Sequence, residues 1–531
     1  MQHIPLIITS DFDGGNAHDI SEIAPDHWQM RIHGDTIYGP WYHVQIEETA
    51  GWQREVQLDI LDIPDLDAVT SQADRPVCQI DGGPWRFLPF GSAQIVHTGR
   101  TAMFEEPIVW FWERQQEVPE NRFRAMPAAD VRIRLTVPPN SRMRLATTYP
   151  FTVSNQLSMM QWLQHLPAPR SELCRVEVLG RSEEDRPIHM VTVTDPLVPF
   201  GEKQLLVMTA RHHPAMESSG SWAAEGIIEY LTSGDPRAEA LLKQLVVVVI
   251  PMVNIDGVLH GEPHYNVNGI DLWMDYQAKS ARETQAVYAT LERLKPDFFV
   301  DWHGWICHHE GVAPYDGSYL DIEHSEPWDA EVYEQMAEEW RRRIYGFGTR
   351  DLYRSLFPSC PIGAAYWDWH TLGTTTEINP GGYTIGQVKQ RALDNFLGVT
   401  DVMLRQWSGY PGVGVPGLEI KRTGKASLFA WGRNFEERRA SRVDLWRQRQ
   451  ALHIEIVQDS DQAMVVSVVA ATECRASATL RLPLPRGGLG DVLLDGRPLE
   501  HSAVVCQGDV VFVPLSRWSG ETTVEMRASQ A

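Results

Sequence analysis

The chain is short of basic residues: 47 Lys and Arg stand against 70 Asp and Glu, a formal charge of -23. A surface of that sign repels phosphate backbones and anionic headgroups, so nucleic-acid and membrane-surface roles are disfavoured. Long apolar runs are missing as well. The longest uncharged one, Leu245 to Val253, falls far short of the ~20 residues a spanning helix needs and reads as a buried strand. The N-terminal segment has no basic region ahead of an apolar stretch, and Asp11 and Asp13 interrupt it, so no secretory signal is expected. Cysteine is sparse: Cys78, Cys174, Cys307, Cys360, Cys474 and Cys506 contain no CxxC pair, which fits free thiols in a reducing compartment better than a disulfide framework. These absences point to a cytoplasmic protein with neither nucleic acid nor membrane as a partner. A homo-oligomer stays compatible with them.

What stands in excess is tryptophan, with 19 residues against 15 Tyr and 16 Phe. The 531 residues, 43% hydrophobic and 22% charged, have the balance of folded protein, and domains of roughly 100 to 200 residues imply more than one here. Residues 1–150 hold period-two segments separated by turn residues: WYHVQIE (Trp41 to Glu47), REVQLDI (Arg54 to Ile60), PIVWFWE (Pro107 to Glu113) and VRIRLTV (Val131 to Val137). That pattern predicts an antiparallel β-sandwich. Residues 151–410 alternate apolar strands, QLLVMTA (204 to 210), LVVVVIPM (245 to 252) and DFFVDWH (297 to 303), with helical patterns around 217–231, 281–294 and 385–407. The expectation is an α/β domain with a mixed, largely parallel sheet and helices on both faces. The stretch 304–360 shows no clear strand and reads as an insertion with one amphipathic helix. Residues 411–531 begin with PGVGVPG and return to short strands (LHIEIVQ, MVVSVVA, ATLRLPL, VVFV, TTVEM), which read as a second β-sandwich.

Three polar clusters interrupt the middle region at strand ends, where ligands of such sheets gather. ARHHPAMESS (Ala210 to Ser219) places His213 and Glu217, with His212 adjacent, at a strand-to-helix junction. DWHGW (Asp301 to Trp305) places His303 at the mouth of the sheet, and TTTEINPGG (Thr374 to Gly382) places Glu377 there. Imidazoles and a carboxylate converging from a rigid frame, with one position left for water, are what a zinc hydrolase needs. A further carboxylate can serve as general base. Each piece alone also has a bland reading: a helix-start carboxylate, a hydrogen-bonded strand-end histidine, a solvated strand end.

Together the segments resemble the zinc metallocarboxypeptidases of the carboxypeptidase A clan, and within it the cytosolic carboxypeptidase-like branch with an N-terminal β-sandwich. LATTYPFTVSNQL (Leu145 to Leu157) stands where that branch joins its sandwich through a Phe/Tyr-Pro-Tyr/Phe segment. ARHHPAMESSGSW follows A-R-x-H-P-G-E and S-S-W, NIDGV (Asn254 to Val258) follows N-P-D-G-V, and GIDL (Gly269 to Leu272) follows G-V-D-L. DWHG and TTE match D-x-H-G and T-x-E. The resemblance implies one Zn2+ ion on His213, Glu217 and His303, with Glu377 as general base and then general acid. It also implies that Asp271 supports the first histidine, and that the substrate is a peptide or small amide.

The chain departs from the family in four places. Three residues separate His213 from Glu217 where the family has two, a difference that a bulge or early extra helical turn could absorb; His212 is a substitute ligand. After GIDL the family reads Asn-Arg, the grip on a substrate's C-terminal carboxylate, whereas this chain reads Trp273-Met274; a thioether cannot replace a bidentate guanidinium. The family's oxyanion arginine aligns with His264, which could donate one hydrogen bond. The active-site tyrosine has only Tyr366 and Tyr383 as candidates. Eight of the tryptophans lie between Trp222 and Trp369, among them Trp273, Trp302, Trp305, Trp367 and Trp369 beside the motifs. Most belong to the core, since Trp is usually buried. The remainder could form an aromatic wall, so Trp273, Met274, Trp305 and Tyr383 are the candidate substrate contacts. Two other readings remain open: a deacylase, amidase or esterase on a non-peptide substrate, glycan-linked ones included, and a binding protein on a decayed scaffold.

Overall fold

The computed structural model describes residues 4–33, 40–65, 75–106, 119, 121–304, 316–320, 322, 325–351, 357–379, 383–407 and 417–529. In the N-terminal region, Ile7–Thr9, His43–Glu47, Val77–Ile80, Arg86–Phe87 and Arg142–Ala146 form one five-stranded sheet. His18–Ala24, His27–Arg31, Arg54–Pro64, Ala93–Glu105 and Phe123–Val137 form another. Alternate apolar residues of both meet in one core, Val44, Ile46 and Leu145 from the first against Leu58, Val131 and Ile133 from the second. One pair departs from the antiparallel expectation: His27–Arg31 runs parallel to Arg54–Pro64. Between them the chain visits the first sheet at His43–Glu47, so it returns by a crossover rather than a hairpin. The expected strand Pro107 to Glu113 lies outside the described residues.

The middle region is built on an eight-stranded sheet. Its strands are β1 (Cys174–Arg181), β2 (Pro187–Val193), β3 (Gln204–Ala210), β4 (Leu245–Ile250), β5 (Phe298–His303), β6 (Asp316–Leu320), β7 (Phe347–Asp351) and β8 (Leu372–Glu377), in spatial order β1-β2-β4-β3-β5-β8-β6-β7. The centre, β4-β3-β5-β8, is parallel, and antiparallel pairs flank it. Every residue of those four central strands is buried, which is why they read as unbroken apolar runs. The helices α1 (Val153–Gln164), α2 (Ser218–Leu231), α3 (Arg282–Leu294), α4 (Pro361–Trp369) and α5 (Ile385–Trp407) surround it; α2 packs on β3, β5 and α5, while α4 packs on β5, β8 and α3. The strands β6 and β7 fall in 304–360, where no strand was expected. Their sequences, DGSYL and FGTRD, are rich in Gly and charge, which mutes the strand signal. Because β3, β5 and β8 are parallel neighbours, Ala210, His303 and Glu377 emerge at one edge. Among the described residues no helix is long and apolar enough to cross a membrane.

The C-terminal region has one eight-stranded sheet. Four of the expected short strands merge into two long ones, Ala463–Pro483 and Val510–Ala528. Their pairing shifts register between Ala470 and Ser477, and such bulges bend a ladder without ending it, so the ATECRAS interruption hid their continuity. Both halves feed one core, through Val466 and Val524 on one side of the bend and Leu480 and Val513 on the other.

The charged stretch after residue 434 is the helix α6 (Phe435–Gln448), capped by Asn434, which accepts from Glu437 N at 2.9 Å. It docks through charge. Arg438 Nη2 donates to Asp297 Oδ2 at 2.9 Å and Arg442 Nη1 to Asp297 Oδ1 at 2.7 Å. The same arginines reach the carbonyls of Lys203, Trp369 and Pro296. All three charged groups are fully buried. Burial raises the pKa of the Asp297 carboxyl, but Arg438 and Arg442 outweigh it and hold the carboxyl below its ordinary range. Asp297→Asn leaves buried guanidiniums uncompensated and is expected to cost about 3–5 kcal/mol of stability by denaturant titration. A carboxyl lowered in the folded state contributes above its ordinary value of 3.8 and loses that contribution as pH falls through the folded value. The wild type should therefore destabilise as the pH falls below the ordinary value of 3.8, and the asparagine variant less steeply.

Candidate functional site

The first cluster lies between β3 and α2. Arg211 takes the left-handed backbone conformation, φ 65°, as the chain leaves the strand. Its guanidinium then ties the turn together, donating to Pro214 O and, at 3.1 Å, to Phe151 O. Asn254 of the NIDGV segment supports the same turn: its backbone N donates to Arg211 O at 2.9 Å and its Nδ2 to His212 O at 3.1 Å. Gly257 is needed there, since a Cβ would meet Pro214 Cγ at 2.9 Å. Residues 213–217 are not helical, and Glu217 is the N-cap residue of α2 without capping it. The extra residue is thus absorbed by the Pro214–Met216 turn, not by a bulge or added turn within the helix.

That turn brings three donor groups together. His213 Nδ1 lies 2.8 Å from Glu217 Oε1, and His303 Nδ1, at the end of β5, lies 2.7 Å from Glu217 Oε2. The imidazole centroids are 4.9 Å apart. Gly304 permits this approach: a Cβ would come within 2.1 Å of Ser219 Oγ and 3.2 Å of Glu217 Cα. The outer nitrogens are each held by a carboxylate, His213 Nε2 at 3.3 Å from Asp271 Oδ1 and His303 Nε2 at 2.7 Å from Asp301 Oδ2. Burial lowers the imidazole pKa of His213, but Glu217 and Asp271 reverse this and raise it to about 9. For His303, Glu217 and Asp301 likewise overcome burial and lift the value well above the ordinary one. Against the same burial, the imidazoles hold Glu217, Asp271 and Asp301 far below the carboxylate range.

The donor chemistry fits a cation. Donor atoms of His213, Glu217 and His303 all lie within 4.8 Å of one another in a buried setting. Glu217 Oε2 has no aligned hydrogen-bond donor although His303 Nδ1 is 2.7 Å away, as expected where both atoms face a shared ion. Nitrogen and carboxylate ligands whose outer sides are held by carboxylates are the common zinc arrangement.

The remaining sequence candidates divide. Glu377 ends β8, is buried, and is in register with His303 across the parallel β5–β8 pair; paired residues lie side by side on one face, about 4.8 Å apart. Asp271 Oδ1 lies 3.3 Å from His213 Nε2. His264 is not presented as an isolated oxyanion donor: its Nε2 is 3.1 Å from Asp271 Oδ2, and its ring stacks on His213 with centroids 3.9 Å apart. Burial and the neighbouring His213 lower its pKa to about 4. His212 is drawn away from the first donor set, with Nδ1 2.9 Å from Asp301 Oδ1 and Nε2 2.8 Å from Tyr276 OH.

Trp273 stands 5.9 Å from the His303 ring and 6.5 Å from His213, with Met274 half-buried on the same short turn. Trp302 and Trp369 are core residues, and Trp367 accepts from Trp446 through its carbonyl. Trp305 lies outside the described residues. Tyr366 is committed elsewhere, donating to Asp329 Oδ2 at 2.9 Å, and Tyr383 carries the Arg391 guanidinium 4.6 Å from its ring centre. Sequence reasoning missed Asp301 and Tyr276. For Asp301 a signal existed, since residues two apart on a strand share a face with each other; Tyr276 gave none.

Residues 159–347 match the family profile described as zinc carboxypeptidase. A cytosolic carboxypeptidase 2 of Danio rerio is 32% identical over 154 residues, 28% of this chain and 21% of that protein. A cytosolic carboxypeptidase 4 of Mus musculus is 32% identical over 176 residues, 30% of this chain and 16% of that protein. The matched part thus spans about a fifth or less of these relatives' length. A metallo-carboxypeptidase from Burkholderia cenocepacia superposes with TM-score 0.58 at 19% identity, covering 76% of this chain and 100% of that one. A Pseudomonas aeruginosa metallo-carboxypeptidase in complex with (2-guanidinoethylmercapto)succinic acid gives 0.55 at 18% identity, over 75% and 99%. These structures share the carboxypeptidase-like fold with the chain, and the family's cofactor is a single zinc ion. Residues 159–347 thus carry a zinc carboxypeptidase domain.

Proposed function

We propose that the protein is a zinc-dependent hydrolase that cleaves an amide bond, with His213, Glu217 and His303 as metal ligands and Glu377 as general base. The observation that carries this reading is the meeting of two imidazoles and one buried carboxylate, each imidazole backed by a further carboxylate. Zinc in such a site supplies Lewis acidity, polarising a carbonyl and easing water deprotonation toward pH ~7. Glu377, beside His303, takes a proton from the attacking water and returns it to the leaving nitrogen. Asp271 fixes His213, and we assign His264 to that support. The reading of a decayed scaffold loses one of its two motives, because the lengthened His213–Glu217 spacing leaves the donors converging; the other, the absence of the arginines at Met274 and His264, stands.

Substrate recognition follows from Trp273 and Met274. Their turn borders the imidazoles and offers an aromatic plane and a thioether where the family resemblance puts a carboxylate clamp. This favours an acyl or side-chain group of apolar character, in a peptide or a non-peptide amide or ester, over a free C-terminus. We read the chain as three modules, 1–150, 151–410 and 411–531, with β-sandwich frames on either side of the catalytic one, and place it in the cytoplasm, as the names of its cytosolic relatives suggest.

Purified protein should carry stoichiometric zinc, lose hydrolysis to a chelator and regain it on zinc add-back; indifference to all three would end the reading. Glu377→Gln should keep the metal, assayed by elemental analysis, while kcat falls by roughly 10²–10⁴. Peptides with free and amidated C-termini should differ in kcat/KM by less than about tenfold, and a much stronger preference for the free acid would restore carboxylate recognition.

A further inference from the structure

One short segment, residues 271–276, reaches both histidines of the site. Asp271 holds His213 directly, at 3.3 Å from its Nε2. Tyr276 reaches His303 through a buried chain. Its hydroxyl lies 2.8 Å from His212 Nε2, His212 Nδ1 lies 2.9 Å from Asp301 Oδ1, and Asp301 Oδ2 lies 2.7 Å from His303 Nε2. Thr209 Oγ1 donates to Asp301 Oδ1 at 2.7 Å. Tyr276, His212 and Asp301 are fully buried, so solvent cannot substitute for a missing partner.

With both imidazoles neutral, as a cation on His303 Nδ1 requires of that ring, the chain has one self-consistent proton arrangement. The Asp301 carboxylate only accepts, so Thr209, His212 Nδ1–H and His303 Nε2–H all donate to it. A His212 protonated at Nδ1 carries a lone pair at Nε2, and the phenol of Tyr276 must donate there. A His303 protonated at Nε2 turns its Nδ1 lone pair toward Glu217, where a cation would sit. Burial and the charges of Asp301 and Asp275 hold the phenol's pKa well above its ordinary value, so it remains a donor.

We propose that the 271–276 segment clamps both imidazoles from outside, through Asp271 on His213 and through Tyr276, His212 and Asp301 on His303, making Tyr276 and His212 positioning residues for the zinc site. The proposal rests on the assignment of His303 as a ligand. Fixing the outer nitrogen sets the tautomer, ring orientation and basicity of a ligating histidine, and loss of such a partner typically costs 10–100-fold in metal affinity. Without the phenol, His212 can adopt the other tautomer, and its Nδ1 would then turn a lone pair on Asp301.

The test uses the full chain carrying Tyr276→Phe, with Tyr288→Phe as the matched control; the Tyr288 hydroxyl donates to Asp368 at 2.7 Å, in a separate cluster. Three quantities are read: zinc affinity by competition with a chromogenic chelator, the visible absorption bands of the Co2+-substituted protein, and the Tm of the metal-free form. Tyr276→Phe should weaken zinc binding by about 10–100-fold and change the cobalt bands, whereas Tyr288→Phe should do neither. A second pair covers the case in which Tyr276→Phe fails to fold. His212→Asn keeps a donor near the place of Nδ1 and His212→Leu keeps none, so the asparagine variant should bind zinc more tightly. Zinc affinity within about twofold of wild type and unchanged cobalt bands in Tyr276→Phe and His212→Leu would overturn the clamp while leaving the ligand assignment standing. A wild-type protein that takes up no stoichiometric zinc would overturn both.

Discussion

The site depends on one buried carboxylate that faces two imidazoles. Glu217 brings one oxygen to His213 and the other to His303, and each group would be costly to bury alone. Together they are mutually compensated: the histidine values rise, the carboxylate value falls, and the cluster is poised for a cation that replaces the protons. Every nearby feature serves that meeting. The adjacency of β3 and β5 sets the spacing, the missing Cβ at Gly304 lets the end of β5 close on the start of α2, and Asp271 and Asp301 keep the imidazoles from turning away.

Around this cluster the flanking regions act as a frame. The N-terminal segment caps α1 through Asp13, whose carboxylate accepts from Val153 N and Ser154 N, and Asn16 Nδ2 donates to Gly261 O at 2.9 Å. The neighbouring Glu262 carbonyl accepts from Ala215 N, within the turn that carries His213 to Glu217. From the other side, α6 fixes Asp297 at the start of β5, the strand that ends at His303. Segments on either side of the central sheet thus bear on the two stretches that supply the imidazoles.

Much of this was legible in the sequence, because buried parallel strands announce themselves as apolar runs: QLLVMTA is the full length of β3, and the helix pattern 385–407 coincides with α5. Polar residues breaking such runs marked His213, Glu217, His303 and Glu377. Three things were less visible. Strands with weak propensity, β6 and β7, were lost inside an apparent insertion, and a bulge concealed that four C-terminal strands are two. The place of His212 was obscured because a histidine adjacent to a candidate ligand looks like a substitute, whereas the backbone turn at Arg211 sends it toward Asp301 and Tyr276. Contacts of that kind depend on side chains separated by tens of residues, and no local period reports them. The tryptophan surplus likewise resolves only in three dimensions, with Trp302 and Trp369 in the core and Trp273 beside the imidazoles.

The central claim, that His213, Glu217 and His303 share one zinc ion, is tested most directly by an anomalous difference map from crystals measured on both sides of the zinc absorption edge. The account predicts a single peak about 2.0–2.2 Å from Nδ1 of each histidine and from a Glu217 oxygen. A map with no peak among these atoms, or with its strongest peak at another residue set, would contradict it.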